Sequence, residues 1–248
     1  MRSLQQFTLS SGAGLVIEPG AYRAEFDSVT FFNHTATYGA ALFANVGTTF
    51  TANNCIFQAN TASAGALQKD SVALTGNGGA VALAFTTATF TSCSFNSNVA
   101  DNGGAIYSLL STVTVTGGLW TSNSANRFGG GRFLQSSTVT IAGASFTSNS
   151  AVSYGGGVYA IDAVTLSVQS STFSHCSAFW GAGLHADSSP LISVSSCTFS
   201  DNTAQQAGGA VSVFDANLLL SSCTFLRNHL PSVLSGSGGS CSSSLVSA

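Results

Sequence analysis

Phe95-Asn96-Ser97-Asn98-Val99-Ala100-Asp101-Asn102-Gly103-Gly104-Ala105-Ile106 returns later in the chain as Phe199-Ser200-Asp201-Asn202-Thr203-Ala204-Gln205-Gln206-Ala207-Gly208-Gly209-Ala210-Val211. Such self-similarity at a fixed period is the signature of a repeat architecture and takes precedence over any other reading. Working outward, the aromatic recurs as Phe31, Phe57, Phe95, Trp120, Phe146, Phe173, Phe199 and Phe225, in steps of 26, 38, 25, 26, 27, 26 and 26 residues. The long step carries about twelve extra residues, placed within Ser63 to Gly76, and predicts a loop that bulges from a turn.

Other columns keep the same register. Three residues after each aromatic stand His34, Asn60, Asn98, Asn123, Asn149, Cys176, Asn202 and Asn228. Two further on comes Ala36, Ala62, Ala100, Ala125, Ala151, Ala178 and Ala204, failing at Leu230. A small-residue cluster then opens the next segment, as in Gly129-Gly130-Gly131 and Gly155-Gly156-Gly157. Between clusters lie alternating β-branched stretches, such as Thr112-Val113-Thr114-Val115-Thr116, and no helix-forming runs.

The period suits one rung of a right-handed parallel β-helix, with three short strands separated by Gly, Asn and Ser turns. About eight rungs of ~26 residues at ~4.8 Å each predict a solenoid roughly 40 Å tall. The aromatics are then a stacked interior column. The Asn column marks a tight turn, where Asn tolerates the left-handed conformation and its amide can bond to the same amide one rung away.

Composition narrows the function classes. Charged residues are 6% of the chain, against roughly 25% in an ordinary domain. With a net charge of -3 and one Lys among six scattered cations, there is no basic stripe to neutralise phosphates, which sets nucleic acid aside. The apolar runs, such as Ala80 to Phe85, are far shorter than the ~18 residues of a membrane helix. The first ten residues show no apolar stretch of secretory-signal type after Arg2. Six cysteines without a Cys-x-x-Cys pair imply neither a disulfide framework nor a zinc site, and no cofactor is implied.

The β-helix is expected over 1–230, with a degenerate first rung over 1–25 in which Phe7 stands for the aromatic and Gly12-Ala13-Gly14-Leu15 for the small cluster. Residues 231–248 read as a Ser/Gly-rich tail or a degenerate last rung. No amphipathic helix caps either end, so the chain is expected to belong to a longer protein or to be capped by a partner.

The motifs Phe95-Asn96-Ser97-Asn98 and Phe199-Ser200-Asp201-Asn202, of the form F-x-x-N, together with Gly103-Gly104-Ala105-Ile106 and Gly208-Gly209-Ala210-Val211, of the form G-G-A-[ILV], resemble the repeats of polymorphic outer membrane proteins. The resemblance covers roughly residues 26 to 230. It implies a pectin lyase-like β-helix at a cell surface or outside the cell, with an adhesin-like role and a cell-surface protein or polysaccharide as partner. The chain has no segment of alternating ~10-residue strands that would make a membrane barrel.

Two sets of residues are candidate sites. Asp162, Asp187 and Asp215 fall four or five residues past the third small residue of three consecutive rungs, and should stack at one corner. Repulsion between them would be relieved by a hard cation such as Ca²⁺, although an Asp that caps its own turn is the plainer account. The second set is Phe43, Tyr107, Phe133, Tyr159 and His185, beside the aliphatic column Leu42, Val81, Ile106, Val158, Leu184 and Val211. Strand alternation lets only one of these columns face inward. The aliphatic column is the more uniform and is placed inside, with Arg132 as its exception; the aromatics then form an exposed stripe for sugar rings or a partner.

Cys55 and Cys93, and likewise Cys197 and Cys223, share a position in adjacent rungs and are expected as buried free thiols. The whole reads as a non-catalytic surface or extracellular module with a binding or scaffold role. A carbohydrate-active lyase or hydrolase working at the three Asp residues, and a purely structural spacer, are the alternatives. Against the enzyme, no Lys or Arg lies near the acids to act as base, and paired acids for glycoside hydrolysis are missing.

Overall fold

The computed structural model describes residues 4–5, 8–10, 14–17, 23–63 and 76–231, and among these the regular structure is all strand. One coil shows the plan. Val81–Ala84, Thr87–Thr91, Ser94–Asn96 and Val99–Asn102 follow one another round the axis, and each pairs in parallel with its counterpart one coil away. Among the described residues repetition builds four parallel sheets of eight, nine, nine and seven strands, here numbered one to four in the order the coil meets them. A coil therefore has four strands, where the sequence suggested three. The extra one is the short segment between the Asn column and the glycine cluster, whose polar composition reads as turn.

Alternation decides what is inside. In Thr112–Thr116 the valines are buried and all three threonines exposed. The register matches Thr87, Thr112, Thr138 and Thr165 coil to coil without a shift, so sheet two presents ranks of hydroxyls outward. Sheet three turns its aromatic column inward. The rings from Phe31 to Phe225 form one continuous stack, with centroids 4.7 Å apart between Phe57 and Phe95 and 5.2 Å between Phe199 and Phe225. Each buried ring of this kind is worth about 1.5–3 kcal/mol.

The Asn column is a hydrogen-bond ladder, buried from Asn60 to Asn202. Asn98 donates from its backbone N–H (3.0 Å) and from Nδ2 (2.9 Å) to Asn123 Oδ1, while Nδ2 also donates to the Phe57 carbonyl at 2.9 Å. The same set recurs at Asn60, Asn123 and Asn202. The left-handed residue is not the Asn but its predecessor: Asn33, Ala59, Ser97, Ser122, Ser148, His175, Asp201 and Arg227 carry the positive φ, for example 53° at Ser97. The Asn is thereby released to point inward and span two coils.

The first coil needs one correction. Its strand Thr8–Ser10 pairs Leu9 with Phe31, so Leu9 and not Phe7 takes the aromatic register. Leu15 pairs with Leu42, in the register of the aliphatic column. The loop insertion leaves after Ser63 and returns at Gly76, at the end of sheet four; Lys69 and Asp70 lie outside the described residues.

Candidate functional site

Between sheets four and one the chain turns on a glycine in the left-handed region. Gly129 has φ +65°, and a Cβ there would stand 2.2 Å from the Arg132 carbonyl oxygen, so no side chain is tolerated. The sharp corner folds the end of sheet four over the outer face of sheet one. What it covers is the second candidate set.

Sheet one alternates as the sequence suggested. Leu42, Val81, Ile106, Val158 and Leu184 lie in the central core, and Phe43, Tyr107, Phe133, Tyr159 and His185 point outward. The outward column is nevertheless not an exposed stripe: its members are 8%, 4%, 6%, 3% and 4% accessible. Tyr38, Phe128 and Tyr154, each immediately before its corner glycine, lie over them, and Trp180 holds the same position one coil further on. Tyr38 meets Phe43 edge-on at 4.7 Å, Phe128 packs on Phe133 and Tyr159, and Tyr154 stacks on His185 at 4.8 Å.

This overlying column is in register as Tyr38, Asn77, Asn102, Phe128, Tyr154, Trp180 and Ala207. Its aromatic members are only half-buried or, for Tyr38, exposed. A ring preceding the first glycine in four coils is a signal present in the sequence that the reading above does not use. The result is a small outer core along the axis, Tyr107, Phe133 and Tyr159, with the half-buried Phe128, Tyr154, Leu109 and Ile161 packed against it.

Few polar groups border this outer core among the described residues. The Tyr107 hydroxyl donates to Gln135 Oε1 at 2.9 Å, and Asn102 Nδ2 donates to Asn77 Oδ1 at 2.8 Å. Burial pushes the Tyr107 phenol up to about 12, so it stays protonated. Burial likewise pushes the His185 imidazole down to about 4, with Asp187 pulling weakly the other way. His185 is therefore neutral at physiological pH, and its Nδ1 is buried without a hydrogen-bond partner.

The three acids do not share a column. Register pairs Asp187 with Ile161 and Phe214, on the outer face of sheet one. Asp162 and Asp215 occupy the left-handed corner after that sheet (φ 49° and 46°), with Ser188 between them. Two coils separate those carboxylates, roughly 10 Å along the axis. The aliphatic column sets the register, and counting from it places Asp187 one residue earlier than its neighbours, which moves it off the corner. Among the described residues no three His, Cys, Asp or Glu side chains are grouped so as to hold a metal ion.

The paired cysteines sit level in adjacent coils, as thiols that donate to carbonyls: Cys55 to Asn53 and Cys93 to Ala52, both at 3.3 Å. No helix among the described residues is long and apolar enough to cross a membrane.

Among curated proteins and among solved structures, nothing matches the chain. Residues 72–245 match the family described as right handed beta helix region. That span is well over half of the 248 residues, and it carries most of the coils seen here: the chain belongs to the right handed beta helix family.

Proposed function

We propose that the chain is a non-catalytic surface or extracellular β-helix module that holds a neutral ligand, a polysaccharide or a cell-surface protein, along the row of half-exposed aromatic rings. The observation that carries this reading is the wall of half-exposed rings, Phe128, Tyr154 and Trp180, repeated on consecutive coils. Rings set one coil apart offer a stacking surface that extends along the axis, as an extended chain requires. The scarcity of charge favours a neutral partner. The repeat motifs shared with polymorphic outer membrane proteins support the adhesin-like role and the surface location.

The test incubates the purified chain with acidic and neutral polysaccharides in the presence of Ca²⁺, following both retention and chain cleavage. Retention of a neutral polymer is expected, weakened at least about tenfold in Trp180→Ala, because loss of a stacked ring costs about 1.5 kcal/mol. Cleavage abolished by Asp187→Ala would replace this reading by the enzyme. Neither retention nor cleavage, with no cell-surface protein captured, would leave a spacer.

A further inference from the structure

Arg132 occupies the aliphatic column of sheet one, between Ile106 and Val158, and its side chain is completely buried inside the solenoid. Its only hydrogen bond is a long one, from Nη2 to Ser108 Oγ at 3.5 Å; Nε and Nη1 have no acceptor. No ion pair to Arg132 is seen among the described residues; Arg23–Glu25 and Arg227–Asp201 pair at the surface. Burial lowers the guanidinium to about 9, which leaves it charged at neutral pH.

A second orphan lies in the neighbouring coil. Trp120, also fully buried, has no acceptor for its indole N–H. Trp120 stacks on Phe146 at 4.9 Å, and Phe146 in turn faces Gly131, the residue before Arg132. Two adjacent coils thus bury several unsatisfied donors and a positive charge in one stretch of the interior, and bring no acceptor to them.

We propose that the interior of the helix at Arg132 binds a small monovalent anion of the halide type. Donors alone select such a ligand. Water could accept two of these hydrogens but would then have to place its own two protons, for which Ser108 Oγ is the one acceptor seen beside Arg132. An anion has no protons to place and cancels a charge whose burial costs far more than any one hydrogen bond. Because the site is closed by the coil around it, the ion enters as the coil forms and acts as part of the fold.

The experiment refolds the full chain from denaturant in sodium bromide and in sodium gluconate at matched ionic strength. Bromide is expected to raise the folding equilibrium constant about tenfold for each tenfold rise in its concentration above Kd. Crystals of the bromide-refolded protein should show an anomalous peak within hydrogen-bonding distance of Arg132 Nε or Nη1. Arg132→Met should fold with equal stability in the two salts. The wild-type measurements decide the matter even if that variant fails to fold: equal stability in both salts together with no bromine peak beside Arg132 overturns the proposal.

Discussion

Cys176 is a single residue at which the physics of the ladder can be read. Above it, Asn202 Oδ1 accepts the Cys176 backbone N–H at 2.9 Å; below it, Asn149 Nδ2 donates to the Trp120 carbonyl but finds no amide in the next coil. The thiol reaches only weakly towards the Phe146 and Ser174 carbonyls, both at 3.6 Å. Restoring the amide in Cys176→Asn should close the ladder from Asn149 to Asn202 and add about 1 kcal/mol or more, read as a higher urea midpoint with an unchanged slope. His185 shows the opposite case, a titratable group held neutral by burial. Below pH 6.5 the unfolded chain takes up a proton that the native imidazole refuses until about pH 4. Native stability is therefore lost progressively as pH falls between those values, by roughly 3 kcal/mol. His185→Phe keeps a ring against Tyr154 and should flatten the pH dependence of the urea midpoint between pH 7 and 4.5.

At the scale of the strand and the corner, the sequence is legible where one column does one job. The aromatic stack, the Asn ladder and the inward aliphatic column all follow from period and alternation, because each faces the same surroundings in every coil. Sheet four is different. Its residues, such as Val99–Asn102 and Ser124–Phe128, are short and polar, and their strand pairing is imposed by neighbouring coils rather than by any local preference. The outer core is half legible for a related reason. Alternation says that Tyr107 and Tyr159 point outward, but outward is not the same as exposed. Only the glycine corner, which folds Phe128 and Tyr154 over them, decides that. The acids part because Asp187 follows its aliphatic residue by three positions, whereas Asp162 and Asp215 follow theirs by four, and a one-residue difference moves a side chain off its column.

For the whole molecule the governing fact is that each coil touches only its neighbours, so stability is a sum of coil terms and interfaces rather than of one closed core. Residues 155–180 form one coil, from a corner glycine to the residue before the next. Deleting them joins Tyr154 to Gly181 and leaves every column in register: Phe146 then stacks on Phe199, Asn149 reaches Asn202, and Val139 pairs with Ile192. The shortened chain should keep its β spectrum and a cooperative unfolding transition, with the melting temperature lowered by only a few degrees. Phe146→Asp removes no backbone at all, yet it places an unpaired carboxylate inside the ring stack between Trp120 and Phe173. A buried charge without a partner costs several kcal/mol and breaks contacts to both adjacent coils. The substitution should therefore be the more damaging of the two, measured by circular dichroism and thermal unfolding. Equal damage from both would mean that the coils do not act as separable units, and that the additive picture of this solenoid fails.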